Sequence, residues 1–280
     1  MKNKKYRNLI VIFTLLLLSA CSSKIIYNNL DWITYWYIDD YVTLTSEQES
    51  EFDPALQQFL LWHRKSELQS YINQIKRIQQ DINNGIKQSD IKEHFQVLIG
   101  FWQTILVRIE PGLVRLAYSL TDEQVEQFLN ATEQRNRDQI EEHEGLSSDK
   151  RLNKRLVKIE NRIESYTGNL SPAQKQLIKN SNAQLLSTFD EWITYRRIWA
   201  DSIKEAYALK ESKPAFEKAL SGSILQADSL RSDQFLKKIE HNQQLWTVTL
   251  EQLINSLNKK QLKKLNNKLQ NIIEDLQALL

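Results

Sequence analysis

The chain has 280 residues with only six glycines, four prolines and one cysteine, so glycine falls well below its usual share of ~7%. Glycine-rich phosphate loops, tight hairpins and strand-rich sandwiches need residues that tolerate positive φ, and that scarcity excludes them, leaving an all-α protein. A charged fraction of 26%, a hydrophobic fraction of 41% and a net charge of +2 fit a folded helical protein rather than a disordered or membrane-spanning one.

The first segment in chain order has the parts of an export signal. Lys2, Lys4, Lys5 and Arg7 precede an uncharged run from Leu9 to Leu18, which is shorter than the ~20 apolar residues a bilayer span requires. The run ends in Leu18-Ser19-Ala20-Cys21. That ending resembles the lipobox of bacterial lipoproteins, which implies a leader of residues 1–20, cleavage before Cys21, a diacylglyceryl group on its sulfur and acylation of the new amino terminus. Ser22 rather than Asp comes after the cysteine, and by the same resemblance this implies the outer membrane, facing the periplasm. Only Ser22, Ser23 and Lys24 separate the lipid site from the apolar Ile25-Ile26-Tyr27.

Cleavage changes the charge reading. The leader carries four basic residues and no acidic ones, so the mature chain keeps 33 basic against 35 acidic side chains. A basic face for nucleic acid is therefore not expected. With Cys21 consumed by lipid, no thiol remains for a disulfide, a cysteine nucleophile or a thiolate zinc site.

Helical periodicity and stop signals predict helices over about 25–41, 46–83, 90–118, 122–143, 149–166, 172–210, 214–220, 228–256 and 259–279. Asp53-Pro54 is expected to kink or restart the second and Pro111-Gly112 to break the third, with exits at Gly85, Gly145, Gly168 and Gly222. Two long helices carry apolar stripes, one through Leu56, Phe59, Leu60, His63, Tyr71, Ile75, Ile78 and Ile82, the other through Ile178, Leu185, Phe189, Trp192, Trp199 and Ile203. Narrow stripes beside broad polar faces predict long antiparallel helices in an elongated bundle.

One pattern occurs four times: Leu44-Thr45-Ser46-Glu47-Gln48, Leu120-Thr121-Asp122-Glu123-Gln124, Leu170-Ser171-Pro172-Ala173-Gln174 and Leu257-Asn258-Lys259-Lys260-Gln261. Thr, Ser or Asn at the N-cap with Gln three residues later is a helix-opening box. The boxes are spaced by 76, 50 and 87 residues. The similar first and last intervals suggest two related halves, 21–169 and 170–280.

The boxes resemble the L-T-x-x-Q signature of the Spy and CpxP periplasmic family, which implies an all-α protein with chaperone-like or stress-modulating action and no ATP. Tyr27-Asn28, Leu30-Asp31-Trp32, Tyr41-Val42, Leu44 and Trp62-His63-Arg64 with Glu67-Leu68 resemble a family of uncharacterised Gram-negative lipoproteins. That second likeness implies a helical envelope lipoprotein and brings no activity.

Trp62, His63, Arg64 and Glu67 form the best polar cluster, a candidate partner contact. His63 and Glu67 stand at i and i+4, where an imidazole and a carboxylate can form a hydrogen-bonded pair. Glu141-Glu142-His143-Glu144 splays around a helix and reads as a solvated helix end, and Asp39-Asp40 lacks the spacing of an acid/base pair. No hydrolase, P-loop or zinc-protease motif is present, so neither an enzyme nor a cofactor beyond the covalent lipid on Cys21 is expected. Tyr27, Trp32, Tyr35, Trp36, Tyr37 and Tyr41 crowd the first helix, where they suit either a core stripe or a membrane interface. The expected function is a lipid-anchored binding protein for an envelope protein or unfolded clients. The alternative is an accessory lipoprotein for envelope assembly or lipid handling.

Overall fold

The computed structural model describes residues 26–280. The leader and Cys21 lie outside the described residues. Residues 26–280 form an all-α bundle: α1 (Leu30–Asp39), α2 (Ser46–Trp62), a π-helical turn (His63–Glu67), α3 (Leu68–Asn83), α4 (Gln88–Ser119), α5 (Asp122–Glu144), α6 (Ser148–Thr167), α7 (Pro172–Gln184), α8 (Phe189–Tyr207), α9 (Lys213–Leu225), a 3₁₀ turn (Ala227–Leu230), α10 (Asp233–Asn255) and α11 (Lys259–Gln277).

All four boxes open helices. Thr45, Thr121, Ser171 and Asn258 accept from the backbone N–H three residues on, and the glutamine there accepts from the cap's own N–H. Tertiary contacts override the sequence expectation at other points. The helices run on through both prolines, so the expected break at Pro111 is absent and no restart occurs at Pro54; the carbonyls that the two prolines leave without a donor belong to the exposed Ser50 and Val107, where water can satisfy them. Gly112 instead allows a close crossing, since a Cβ there would lie 3.2 Å from Ala55 Cβ on α2. The predicted helix over 172–210 is two helices. Asn242 accepts from Leu186 N–H and donates to Leu186 C=O, both at 2.9 Å, and this holds residues 185–188 out of helical geometry. Gly222 lies inside α9 rather than at an exit, whereas Gly85, Gly145 and Gly168 do stand at helix exits, Gly85 and Gly168 with positive φ and Gly145 with an ordinary helical φ.

The core takes residues from both sides of residue 170. Leu68, Tyr71 and Ile72 of α3 pack against Ile272, Ile273 and Leu276 of α11. Val114 of α4 packs against Ile203 and Ala206 of α8 and Phe216 and Leu220 of α9. Ile82, Ile86 and Ile91 meet Leu265. A smaller cluster of Val42, Leu44, Leu120 and Val125 lies under the first pair of boxes.

Candidate functional site at the π-helical turn

His63 opens the π turn between α2 and α3. In a regular helix His63 and Tyr71, eight residues apart, would face directions about 80° apart, at 100° per residue. One extra residue in the turn removes about 100° of phase and brings both side chains to nearly the same side. The result is a half-buried chain of ring contacts. His63 Nε2 lies 3.2 Å from Tyr71 Oη, and His63 Nδ1 lies 2.8 Å from Tyr27 Oη at the start of the described chain. A neutral imidazole has one N–H and one acceptor, so one phenol donates and the other accepts. Phe59 and Trp62 flank the imidazole, and Phe101 of α4 packs on Tyr71 at 4.7 Å.

Burial of the ring pushes the His63 pKa down to about 4. Burial likewise raises the Tyr71 and Tyr27 hydroxyls, with Arg64 working against the rise at Tyr27. All three groups are therefore neutral near pH 7. The expected His63–Glu67 pair does not form, because the two phenols occupy both ring nitrogens and Glu67 stays half-buried without joining them.

The rest of the cluster also turns toward its own chain. Arg64 donates to Asn28 Oδ1 at 2.7 Å and its guanidinium lies 5.1 Å from the Tyr27 ring centre. Asp31 lies 3.5 Å from Gln57, and Arg108 of α4 stacks over Trp62 at 5.5 Å. The segment from Tyr27 to Asp31 is thus clamped along α2 and the π turn. Among the four expected contact residues, His63 and Arg64 make this clamp, and Trp62 packs beside His63 under Arg108.

Other candidates fall elsewhere. His143 is not a solvated helix end: its ring stacks on Phe189 at 3.8 Å with the planes 3° apart, and burial lowers its pKa. Glu142 pairs with Lys154 at 2.8 Å, and Asp40 with Arg135 at 3.0 Å. Among the described residues, no group of three His, Cys, Asp or Glu side chains is placed to hold a metal ion.

The boxes do more than cap. Gln48 and Gln124 are buried against each other, each donating to the other's Oε1 at 2.8 and 2.7 Å. The second N–H of Gln48 donates to Ser119 C=O and that of Gln124 to Thr43 C=O, in each case the residue just before the partner box. Each Oε1 also accepts from its own cap N–H, so all four hydrogen-bonding positions of each amide are filled. Gln174 and Gln261 repeat the arrangement, reaching Ser256 C=O and Asn169 C=O. The boxes that pair are those separated by 76 and by 87 residues. The similar intervals are visible in the sequence, but the glutamine-to-glutamine contact is not.

These features define an all-α bundle protein whose helix corners are closed in pairs by buried glutamines. The chain belongs to DUF6279, a family of unknown function, which it matches over residues 40–236. No curated protein and no solved structure matches it.

Proposed function

We propose that the protein is a lipid-anchored, periplasm-facing binding protein of the outer membrane that holds an envelope partner or unfolded clients on an apolar surface, without catalysis. The observation that carries the reading is α4. It is the one helix among the described residues long and apolar enough to cross a membrane. In the folded chain it instead packs on α2, α9 and α10 and buries Ile91, His94, Gly112 and Val114. Ile99 (51%) and Trp102 (41%) are exposed on adjacent turns of its outer side, and Val107 (61%) is exposed further along and around the helix, as is Leu61 on α2. The Arg108–Trp62 stack places the turns carrying Val107 and Leu61 side by side. Exposed apolar surface of this kind is a feature of sites that receive apolar partners. The Leu18-to-Cys21 lipobox and the likeness of the boxes to the Spy and CpxP family support the compartment and the chaperone-like mode.

The test uses purified protein with a denatured client. Wild type is expected to suppress aggregation, and Ile99→Asp with Trp102→Asp, both at exposed positions, should abolish suppression while leaving the far-UV spectrum unchanged. A wild type that neither suppresses aggregation nor crosslinks to a defined partner in cells would favour the accessory lipoprotein. Labelled palmitate should enter the wild type and be lost in Cys21→Ser, which should accumulate as uncleaved precursor. An unlabelled, cleaved wild type in the soluble periplasm would remove the anchor.

A further inference from the structure

We propose that the outer face of α1 is a second membrane contact, with Trp32 and Trp36 seated among the lipid headgroups of the bilayer that anchors Cys21; this rests on the lipid-anchored reading above. The α1 sequence, LDWITYWYID, is apolar nearly all round, yet none of its residues is buried. Its inner side is used by the bundle: Tyr35 and Ile38 pack on the cluster of Val42, Leu44, Leu120 and Val125, and Tyr41, just past the helix, stacks under the Arg135 guanidinium at 3.9 Å. Its outer side carries Trp32, 65% exposed, and Trp36, 47% exposed, one helical turn apart. Their rings stack with centres 6.3 Å apart and planes 6° apart. Exposed Asn29 and Asp39 bound this stripe at its two ends, and no charge lies between the indoles along it.

Indole suits the headgroup layer because an apolar ring and a polar N–H edge can both be accommodated there. The length of the tether points to the occupant. His63 and Arg64 fix Tyr27 and Asn28 on the bundle, and Cys21 stands six residues before Tyr27. That span reaches at most about 22 Å when fully extended. Trp32 is five residues further on, or about 8 Å of helical rise, and Trp36 about 6 Å beyond that. A lipid on Cys21 therefore keeps the start of α1 close to the bilayer surface, and the face α1 can turn to that surface is the one carrying the two indoles. The six aromatic residues of this segment are thus sorted by the fold: Tyr27, Tyr35, Tyr37 and Tyr41 are half-buried or hydrogen-bonded within the chain, and the two tryptophans face outward.

The experiment reads tryptophan emission of the full-length protein, purified in its cellular form and reconstituted into phosphatidylethanolamine–phosphatidylglycerol vesicles containing lipid brominated near the headgroup. The wild type is expected to be quenched. A Trp32→Phe, Trp36→Phe double variant, checked for unchanged far-UV spectrum, should lose most of that quenching, and Trp102→Phe on α4 should keep it. Absence of quenching in the wild type, its survival in the double variant, or its loss in Trp102→Phe would each overturn the proposal. Intact mass of the same sample decides the lipid on Cys21 separately. A lipidated chain without quenching overturns this face and leaves the anchor standing, whereas an unlipidated chain overturns the anchor while its quenching still decides the face.

Discussion

His63 is held neutral by its surroundings, and that ties folding to pH. Its pKa is about 4 in the folded chain because the ring is buried, against ~6.5 for a solvated histidine in the unfolded chain. Between those values the unfolded chain binds a proton that the folded chain does not, so acidification favours unfolding. The contribution is fully present above about pH 6.5 and is lost as the pH falls toward 4, amounting to roughly 3 kcal/mol from the size of the shift. His94 and His143 are displaced in the same direction by burial, so the His63 share is read as a difference between proteins. Denaturant midpoints compared at about pH 7.5 and 4.5 should fall less in His63→Gln than in wild type. Equal falls in the two proteins would show that His63 does not titrate with folding.

The corners between helices depend on glutamine rather than on any residue able to cap. A glutamate at position 48 can still accept from Thr45 N–H, as the box requires. It cannot donate to Ser119 C=O or to Gln124, and it would place a charge where the amide is buried. Gln48→Glu is therefore expected to cost more than about 3 kcal/mol, through two lost donors and an unpaired buried charge. Thr45→Ala removes only the cap acceptor and should cost about 1 kcal/mol. Urea unfolding of both variants measures the contrast, and a Gln48→Glu cost no larger than that of Thr45→Ala would show that the paired amides do not form in solution.

Across the molecule, the sequence division at residue 170 is crossed by the core. Ile273 of α11 is 1% exposed and belongs to the cluster built on Leu68, Tyr71 and Ile72. The α4 helix likewise shares a cluster with α8 and α9. Ile273→Ala should cost about 2–5 kcal/mol through lost burial and the cavity left behind. Because both halves contribute to that cluster, far-UV dichroism and tryptophan emission should report one coincident unfolding transition in wild type and variant. Two separated transitions, with only one moved by the substitution, would show that the halves unfold independently.

The all-α class and the four helix starts that carry a box are legible along the chain, because they depend on neighbours three or four residues away. A cap and its glutamine lie within one turn, and an apolar stripe repeats every turn. Long-range contacts set everything that makes this bundle particular. The helix break at 185–188 is held by Asn242, 56 residues from Leu186, and the tyrosine that occupies His63 Nδ1 lies 36 residues before it. The pairing of glutamines across 76 and 87 residues, and the sorting of the first aromatic cluster into bundle-facing tyrosines and outward tryptophans, arise in the same way. The glutamine pairs are set by which buried polar groups find a partner once the helices have packed, and the helix break, the tyrosine on His63 and the aromatic sorting by which segments the packing brings together; a local pattern carries no record of either choice.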